Sequence, residues 1–339
     1  MLDAKTAVGV LRYRGDEVVA VVDSTRAGRT AQDCVGTGGE IPVVADLTAA
    51  GAAGADSVLI GIAPRGGSLP DAWRPVLRDA IGRGWDVLSG LHEFLGDDSE
   101  LSGLARETGA RIVDVRRPPA SRPVAAARAR NVGALIVLTV GSDCNVGKMT
   151  TALELAQVLR HRGVRAAFVA TGQTGMMIAD HGVAVDAVAS DFVAGVTEAL
   201  VLEAADDADV VLVEGQGALH HPGFSGVTLA LLHGAAPAAL VLCHEHGRET
   251  VRDRDLEIPP LPELVRAYET AAAWVSPAKV VGVALNTRSA PEAEARQAVA
   301  VAARATGLPA TDPVRFGVEP LAEALVRLLE LRRRRATHA

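Results

Sequence analysis

The chain has 339 residues, a length that suggests about two domains. Apolar residues make up 49% and aromatics 3%, so a core has to be built from Val, Leu and Ala rather than from rings. The net charge of −7 is scattered over both signs and excludes the basic stripe of a nucleic-acid binder; the one basic run, Arg332–Arg335, reads as the solvated end of a helix.

Short β-rich runs alternate with helical ones through the first third. Thr6–Leu11, Glu17–Val22, Ser57–Ile62, Asp86–Leu88 and Arg111–Val115 read as strands. Asp71–Arg83 reads as a helix with Trp73, Val76, Leu77, Ala80 and Ile81 on one face. This rhythm implies βαβ units and a parallel sheet, a Rossmann-like domain over residues 1–118. Asp23 ends the second run, where such a domain often holds a ribose. Yet Gly9-Val10-Leu11-Arg12-Tyr13-Arg14-Gly15 is not G-x-G-x-x-G, which argues against dinucleotide binding there.

From Arg116 to Arg130 the composition turns to Pro, Ala and Arg, and proline denies regular helix; residues 119–131 are the expected linker. The rhythm restarts in residues 132–339. Gly133–Val140, Ala166–Ala170, Val210–Val213, Ala239–Leu242 and Val280–Leu285 are continuous apolar strands, and Thr150–Arg162 is an amphipathic helix. Unbroken apolar runs fit a parallel sheet covered on both faces. The expected fold is therefore α/β, with a P-loop NTPase-like parallel sheet as the C-terminal domain.

Gly141-Ser142-Asp143-Cys144-Asn145-Val146-Gly147-Lys148 matches G-x-x-x-x-G-K between such a strand and such a helix. Glycines let successive N–H groups curl toward phosphate oxygens, the helix adds its positive end, and Lys148 adds a point charge. The next position is Met149, where Ser or Thr would ligate Mg²⁺; Thr150 follows. A thioether is a poor ligand for a hard cation. Phosphate binding is expected, and a diphosphate such as that of coenzyme A fits the departure better than Mg–nucleotide hydrolysis.

Other polar groups end the apolar strands. Glu214 follows Val210–Val213, where P-loop folds place their second carboxylate. His220 in His220-His221-Pro222-Gly223 is a candidate base. Gln173, Asp180-His181 and Asp191 lie beyond the next strand, with Gln173 and Asp191 as candidate ligand contacts. Arg248 is a candidate carboxylate clamp, and Asn286 stands where P-loop proteins contact a base. Cys243-His244-Glu245-His246 resembles a metal set, but alternate residues of an extended chain face opposite ways, and no metal is expected.

The three cysteines, Cys34, Cys144 and Cys243, imply no disulfide framework. No apolar h-region opens the chain, and no apolar run reaches the roughly 18 residues of a membrane span. A cytoplasmic protein with a small-molecule substrate is expected, with no membrane or nucleic-acid partner, and a homo-oligomer on general grounds.

Gly141–Thr151, Val213–Pro222, Gly226–Gly234 and Val241–Arg248, with Asp23-Ser24 and Gly61–Pro64, resemble a bacterial family labelled as a domain of unknown function. That family joins an N-terminal Rossmann-like domain to a C-terminal P-loop domain. A characterised activity within it is D-glutamate N-acetyl transfer, from acetyl-CoA to the amine of an acidic D-amino acid, and substrate choice varies within such a family. The P-loop part is also similar to dethiobiotin synthetase and cobyrinate amidase-type ligases.

The resemblance implies an amino-acid N-acetyltransferase. Gly141, Ser142, Asp143, Cys144, Asn145, Val146, Gly147, Lys148, Met149, Thr150 and Asn286 would hold acetyl-CoA. Glu214, Asp191 or His220 would be the base, and Arg248, Gln173 or Arg12 would hold the substrate. The alternatives are an ATP-dependent ligase or kinase using Mg–ATP, and a binding module without turnover.

Overall fold

The computed structural model describes residues 4–62, 64, 66–179 and 182–337. They form two compact units, Met1–Pro118 with Gly172–Ala187, and Pro119–Thr171 with Val188–Ala339. The expected helical stretch and most expected strands of the first third are present, and the differences have physical causes.

In the first unit the chain runs α1 (Lys5–Tyr13), β1 (Val21–Val22), α2 (Ala31–Val35), β2 (Val43–Val44), α3 (Leu47–Ala52), β3 (Ser57–Leu59), α4 (Arg74–Gly82), β4 (Asp86–Ser89), α5 (Ser99–Thr108) and β5 (Ile112–Asp114). Strands β1 and β2 pair in parallel, and β3-β4-β5 form a second parallel sheet. Leu77, Ile81, Val87 and Leu101 are fully buried between that sheet and its helices.

Thr6–Leu11 is helix, not the expected strand. A six-residue apolar run has no readable period. The buried positions Thr6, Gly9 and Val10 reveal a spacing of three and four. Glu17–Val22 likewise shrinks to β1, because a 3₁₀ turn occupies Gly15–Glu17.

The second unit holds β6 (Leu135–Gly141), α6 (Lys148–His161), β7 (Ala166–Val169), then, after α7 (Gln173–Ile178), α8 (Ser190–Ala205), β8 (Val210–Val213), α9 (Ser225–Ala235), β9 (Ala239–Glu245), α10 (Leu261–Ala273), β10 (Lys279–Asn286), α11 (Glu292–Thr306), β11 (Ala310–Thr311) and α12 (Glu319–Thr337). Its six strands are parallel in the order β11-β10-β9-β6-β8-β7. All seven residues of β6 and all four of β8 are buried, as helices on both faces require. α7 belongs to the first unit, where Thr174 Oγ1 and Thr6 Oγ1 share a hydrogen bond of 3.0 Å.

The proline-rich stretch is tied down by one carboxylate. Buried Glu198 on α8 accepts from the backbone N–H groups of Ala126 and Arg128 and from Arg128 Nε at 3.1 Å. The chain leaves β6 toward β8 and leaves β9 toward β10, so the direction of winding reverses between these neighbours. Open parallel sheets bind ligands at such a reversal, outside the carboxyl ends of the strands.

Candidate functional site

The glycine loop leaves β6 at this reversal. Gly141 pairs with Cys243 of β9, and the Ser142 N–H donates to the Cys243 carbonyl at 2.9 Å. Asn145 and Gly147 take positive φ values of 57° and 109°, which curls the loop into the start of α6. Lys148 is 7% exposed, and its Nζ donates to the Asp143 carbonyl at 2.8 Å. The ammonium thus folds back over the cradle. Met149 and Thr150 open α6, while the Thr151 hydroxyl donates to the Gly147 carbonyl at 2.9 Å.

Buried groups pin this loop to the next strand ends. Tyr268 on α10 is fully buried; its hydroxyl donates to the Gly141 carbonyl at 2.7 Å and accepts the Leu219 N–H at 3.2 Å. It therefore holds the glycine loop and the His220 loop in one register. Burial pushes the phenol well above its ordinary value, so it stays protonated. Ser142 Oγ shares a 2.8 Å hydrogen bond with His244 Nδ1. Burial, and then the charges of Arg248 and His246, lower the His244 imidazole to about 4.

Asp143 is buried completely. One carboxylate oxygen accepts the Cys144 N–H at 2.7 Å; the other accepts Arg248 Nη1 at 2.9 Å and the Arg252 N–H at 2.8 Å. Arg248 also donates to the Cys144 carbonyl at 2.8 Å and pairs with Glu245. Its guanidinium is thus engaged with the loop itself, a partnership invisible in sequence.

Glu214 directly follows β8, is 5% exposed, and accepts the Thr171 N–H at 3.0 Å. The neighbouring Gly215 is obligatory, since a Cβ there would stand 1.7 Å from the Thr139 carbonyl oxygen and 3.1 Å from Lys148 Cδ. His220 follows in the same loop. Both of its ring nitrogens are buried without a hydrogen-bond partner among the described residues. Burial lowers its pKa; nearby Asp143 and the Ser142 backbone, which approaches the ring without hydrogen-bond geometry, favour the charged form but do not prevail. His221 packs against Phe224 with ring centroids 4.5 Å apart, and its Nδ1 accepts the Gly223 N–H at 3.1 Å.

The remaining predicted residues are spread more widely. Asp191 is exposed in the first turn of α8. The Asn286 side chain accepts the Arg288 N–H at 3.3 Å at the end of β10. Gln173 and Arg12 lie in the first unit, on α7 and α1. Asp180-His181, and Ala63 within Gly61–Pro64, lie outside the described residues. His244, Glu245 and His246 diverge to Ser142, Arg248 and Glu294.

Sequence reasoning missed two contributors, Tyr268 and the pairing of Asp143 with Arg248. An aspartate inside a glycine loop is a signal of sorts, since an acid beside a phosphate cradle needs a cation to neutralise it. Tyr268 leaves none.

A glycine loop between a strand and the first helix of a parallel sheet, in a chain that also holds a second α/β unit, defines a two-domain P-loop protein with a Rossmann-like domain. Residues 123–322 match the P-loop domain, and residues 24–118 the Rossmann-like domain, of the family described as a domain of unknown function, DUF1611. The chain belongs to this family.

A D-glutamate N-acetyltransferase from Tritonibacter scottomollicae is 40% identical over 327 residues, 96% of this chain and 95% of that one. Another from Pseudoalteromonas sp. is 36% identical over 270 residues, 79% of this chain and 80% of that one. The crystal structure of a DUF1611 family protein from Anabaena variabilis is 41% identical, covers 96% of this chain and 95% of its own, and superimposes with a TM-score of 0.91. No described helix is long and apolar enough to cross a membrane.

Proposed function

We propose that this protein is an N-acetyltransferase that moves acetyl from acetyl-CoA to the amine of D-glutamate. The observation that carries this reading is the 40% identity to a D-glutamate N-acetyltransferase across 96% of the chain. The local chemistry agrees. The start of α6 just after the glycine loop, with its positive helix end, and the Lys148 ammonium offer an anion site suited to the CoA phosphates. Met149 offers a thioether where Mg–nucleotide chemistry needs a hydroxyl.

An amine must lose a proton to attack a thioester, so the site needs a base that is unprotonated near pH 7. His220 suits that role best of the three candidates. Its nitrogens have no protein partner among the described residues, and burial keeps the ring uncharged. Glu214 is committed to the Thr171 N–H and supports the loop, while Asp191 is exposed. We assign the enzyme to the cytoplasm, where acetyl-CoA is abundant.

Thermal shift with acetyl-CoA, CoA, ATP and ATP–Mg²⁺, followed by thiol release with D- and L-glutamate, tests the reading. Stabilisation by acetyl-CoA and thiol release with D-glutamate are expected. Stabilisation by ATP–Mg²⁺ alone would overturn it in favour of a ligase or kinase.

A further inference from the structure

Among the described residues, His220 alone buries side-chain polar atoms without a hydrogen-bond partner, and they are its two ring nitrogens. A ring held in that way takes its proton affinity from burial and from the charges around it. Two fixed points bring such a charge beside it. The Tyr268 hydroxyl joins the Leu219 N–H, just before His220, to the Gly141 carbonyl, at 3.2 and 2.7 Å. A ring nitrogen of His221, just after His220, lies within 4.8 Å of a carboxylate oxygen of Asp143. The His220 loop is thereby laid against the glycine loop, and the Asp143 charge favours a protonated His220 ring. Arg248 meets the same carboxylate at 2.9 Å.

We propose that Asp143 and Arg248 are positioning residues for the base: Asp143 stabilises His220 while the ring carries the amine proton, and Arg248 limits that effect so that the ring is neutral at rest. This rests on the acetyl-transfer reading above, with His220 as its base, and deepens it. Arg248 also pairs with Glu245, so it neutralises Asp143 only in part. The other charged and titratable groups leave this pair in control. His221, on the same loop, disfavours a second positive ring beside it. His244, bonded to Ser142, is lowered to about 4 and is neutral at pH 7. Tyr268 stays protonated, and Glu214 accepts the Thr171 N–H. Lys148 adds a positive charge at the Asp143 carbonyl and is common to every variant below.

The chemistry balances. The unprotonated amine nitrogen of D-glutamate bonds to the acetyl carbon, and the bond from that carbon to the CoA sulfur breaks. One proton passes from the nitrogen to His220, and from His220 to the CoA sulfur. The ring is positive only between these two transfers, and in that interval the carboxylate lowers its energy. Without Arg248 the same carboxylate would favour a protonated ring at rest, which has no lone pair for the amine proton.

The test follows the His220 ring protons of the full chain by NMR through a pH titration, assigned by their absence from His220→Gln. The acid limb of kcat/KM is measured in parallel. Asp143→Asn should move both titrations to lower pH and Arg248→Gln both to higher pH, each by about one pH unit, the low end of what a neighbouring charge does. Arg248→Lys keeps the charge and should stay close to wild type. A merely structural role predicts otherwise: both single variants loosen the loop, and loosening alone would carry the ring toward its ordinary value in both. The downward movement in Asp143→Asn therefore separates the two. If Asp143→Asn does not fold, Asp143→Asn/Arg248→Gln, which strands no charge of the pair, has to titrate at lower pH than Arg248→Gln.

A titration point that stays in place, or that rises in both single variants, would overturn the tuning and leave acetyl transfer standing. Opposed movements in a chain that releases no thiol from acetyl-CoA with D-glutamate would overturn the acetyl-transfer reading, and with it this role of the pair.

Discussion

Arg248 and Asp143 meet as an ion pair at 2.9 Å across 105 residues of chain, and the aspartate side chain is wholly buried. The pair fastens the loop after β9 to the glycine loop after β6. Removing one partner of a buried pair strands the other charge, which costs about 3–5 kcal/mol. Arg248→Ala is expected near the lower end, because the arginine is 18% exposed to water. Urea denaturation should show it. The double variant Asp143→Ala/Arg248→Ala should lose less than the sum of the two single changes.

Tyr268→Phe removes one oxygen and leaves the Gly141 carbonyl and the Leu219 N–H without that partner in a dry interior. Each orphaned group costs about 1–3 kcal/mol, so a loss of about 2–6 kcal/mol is expected. Because the two bonds align the glycine loop with the His220 loop, kcat should fall while the chain remains folded. Circular dichroism and steady-state kinetics on the same sample separate the effects.

Lys148→Ala should weaken acetyl-CoA binding about 10–100-fold, since hydrogen bonds to charged groups contribute about 1.5–3 kcal/mol. The wild-type affinity should fall with added salt more steeply than that of the variant. Isothermal titration at two ionic strengths reads both. Unchanged affinity in Lys148→Ala would remove the glycine loop from the CoA site.

How far these features are legible in the sequence depends on the range of the interactions behind them. Val210–Val213 is a strand exactly as its apolar run predicts, because burial on both faces leaves only Val and Leu tolerable. The loop Gly141–Lys148 is legible because glycines, lysine and a helix start are neighbours in the chain. Thr6–Leu11 misleads, since its Thr and Val favour strand locally while packing against α7 selects the helix. The assignment of Gly172–Ala187 to the first unit has no local signature. Arg248 looks like a substrate clamp until its fold partner, far away in sequence, is brought beside it.

The half-buried His244 makes stability depend on pH in a defined window. Its folded-state value is about 4 against an ordinary 6.5, so between these values the unfolded chain binds a proton that the folded chain does not. The contribution is complete above pH 6.5 and is lost as pH falls toward 4, at about 1.4 kcal/mol per pH unit. About 3 kcal/mol should disappear across the window. His244→Gln should flatten that slope in denaturation curves at pH 7, 5.5 and 4.5. An equal slope in the variant would assign the acid sensitivity to other groups.

His220 should govern rate rather than stability. Burial holds its pKa below the ordinary 6.5, so the ring is neutral at pH 7 and able to accept the amine proton. The acid limb of kcat/KM should therefore fall at a pH below that of an exposed histidine, with activity rising as pH rises through the limb. His220→Ala should lower kcat about 10²–10⁴-fold, the usual contribution of a positioned base, and abolish the limb. His220→Gln has a similar reach but cannot take up a proton near neutral pH, so it should be as slow as the alanine variant. If His220→Gln retained the wild-type rate and limb, the histidine would only be filling space, and the base would have to be Glu214 or Asp191.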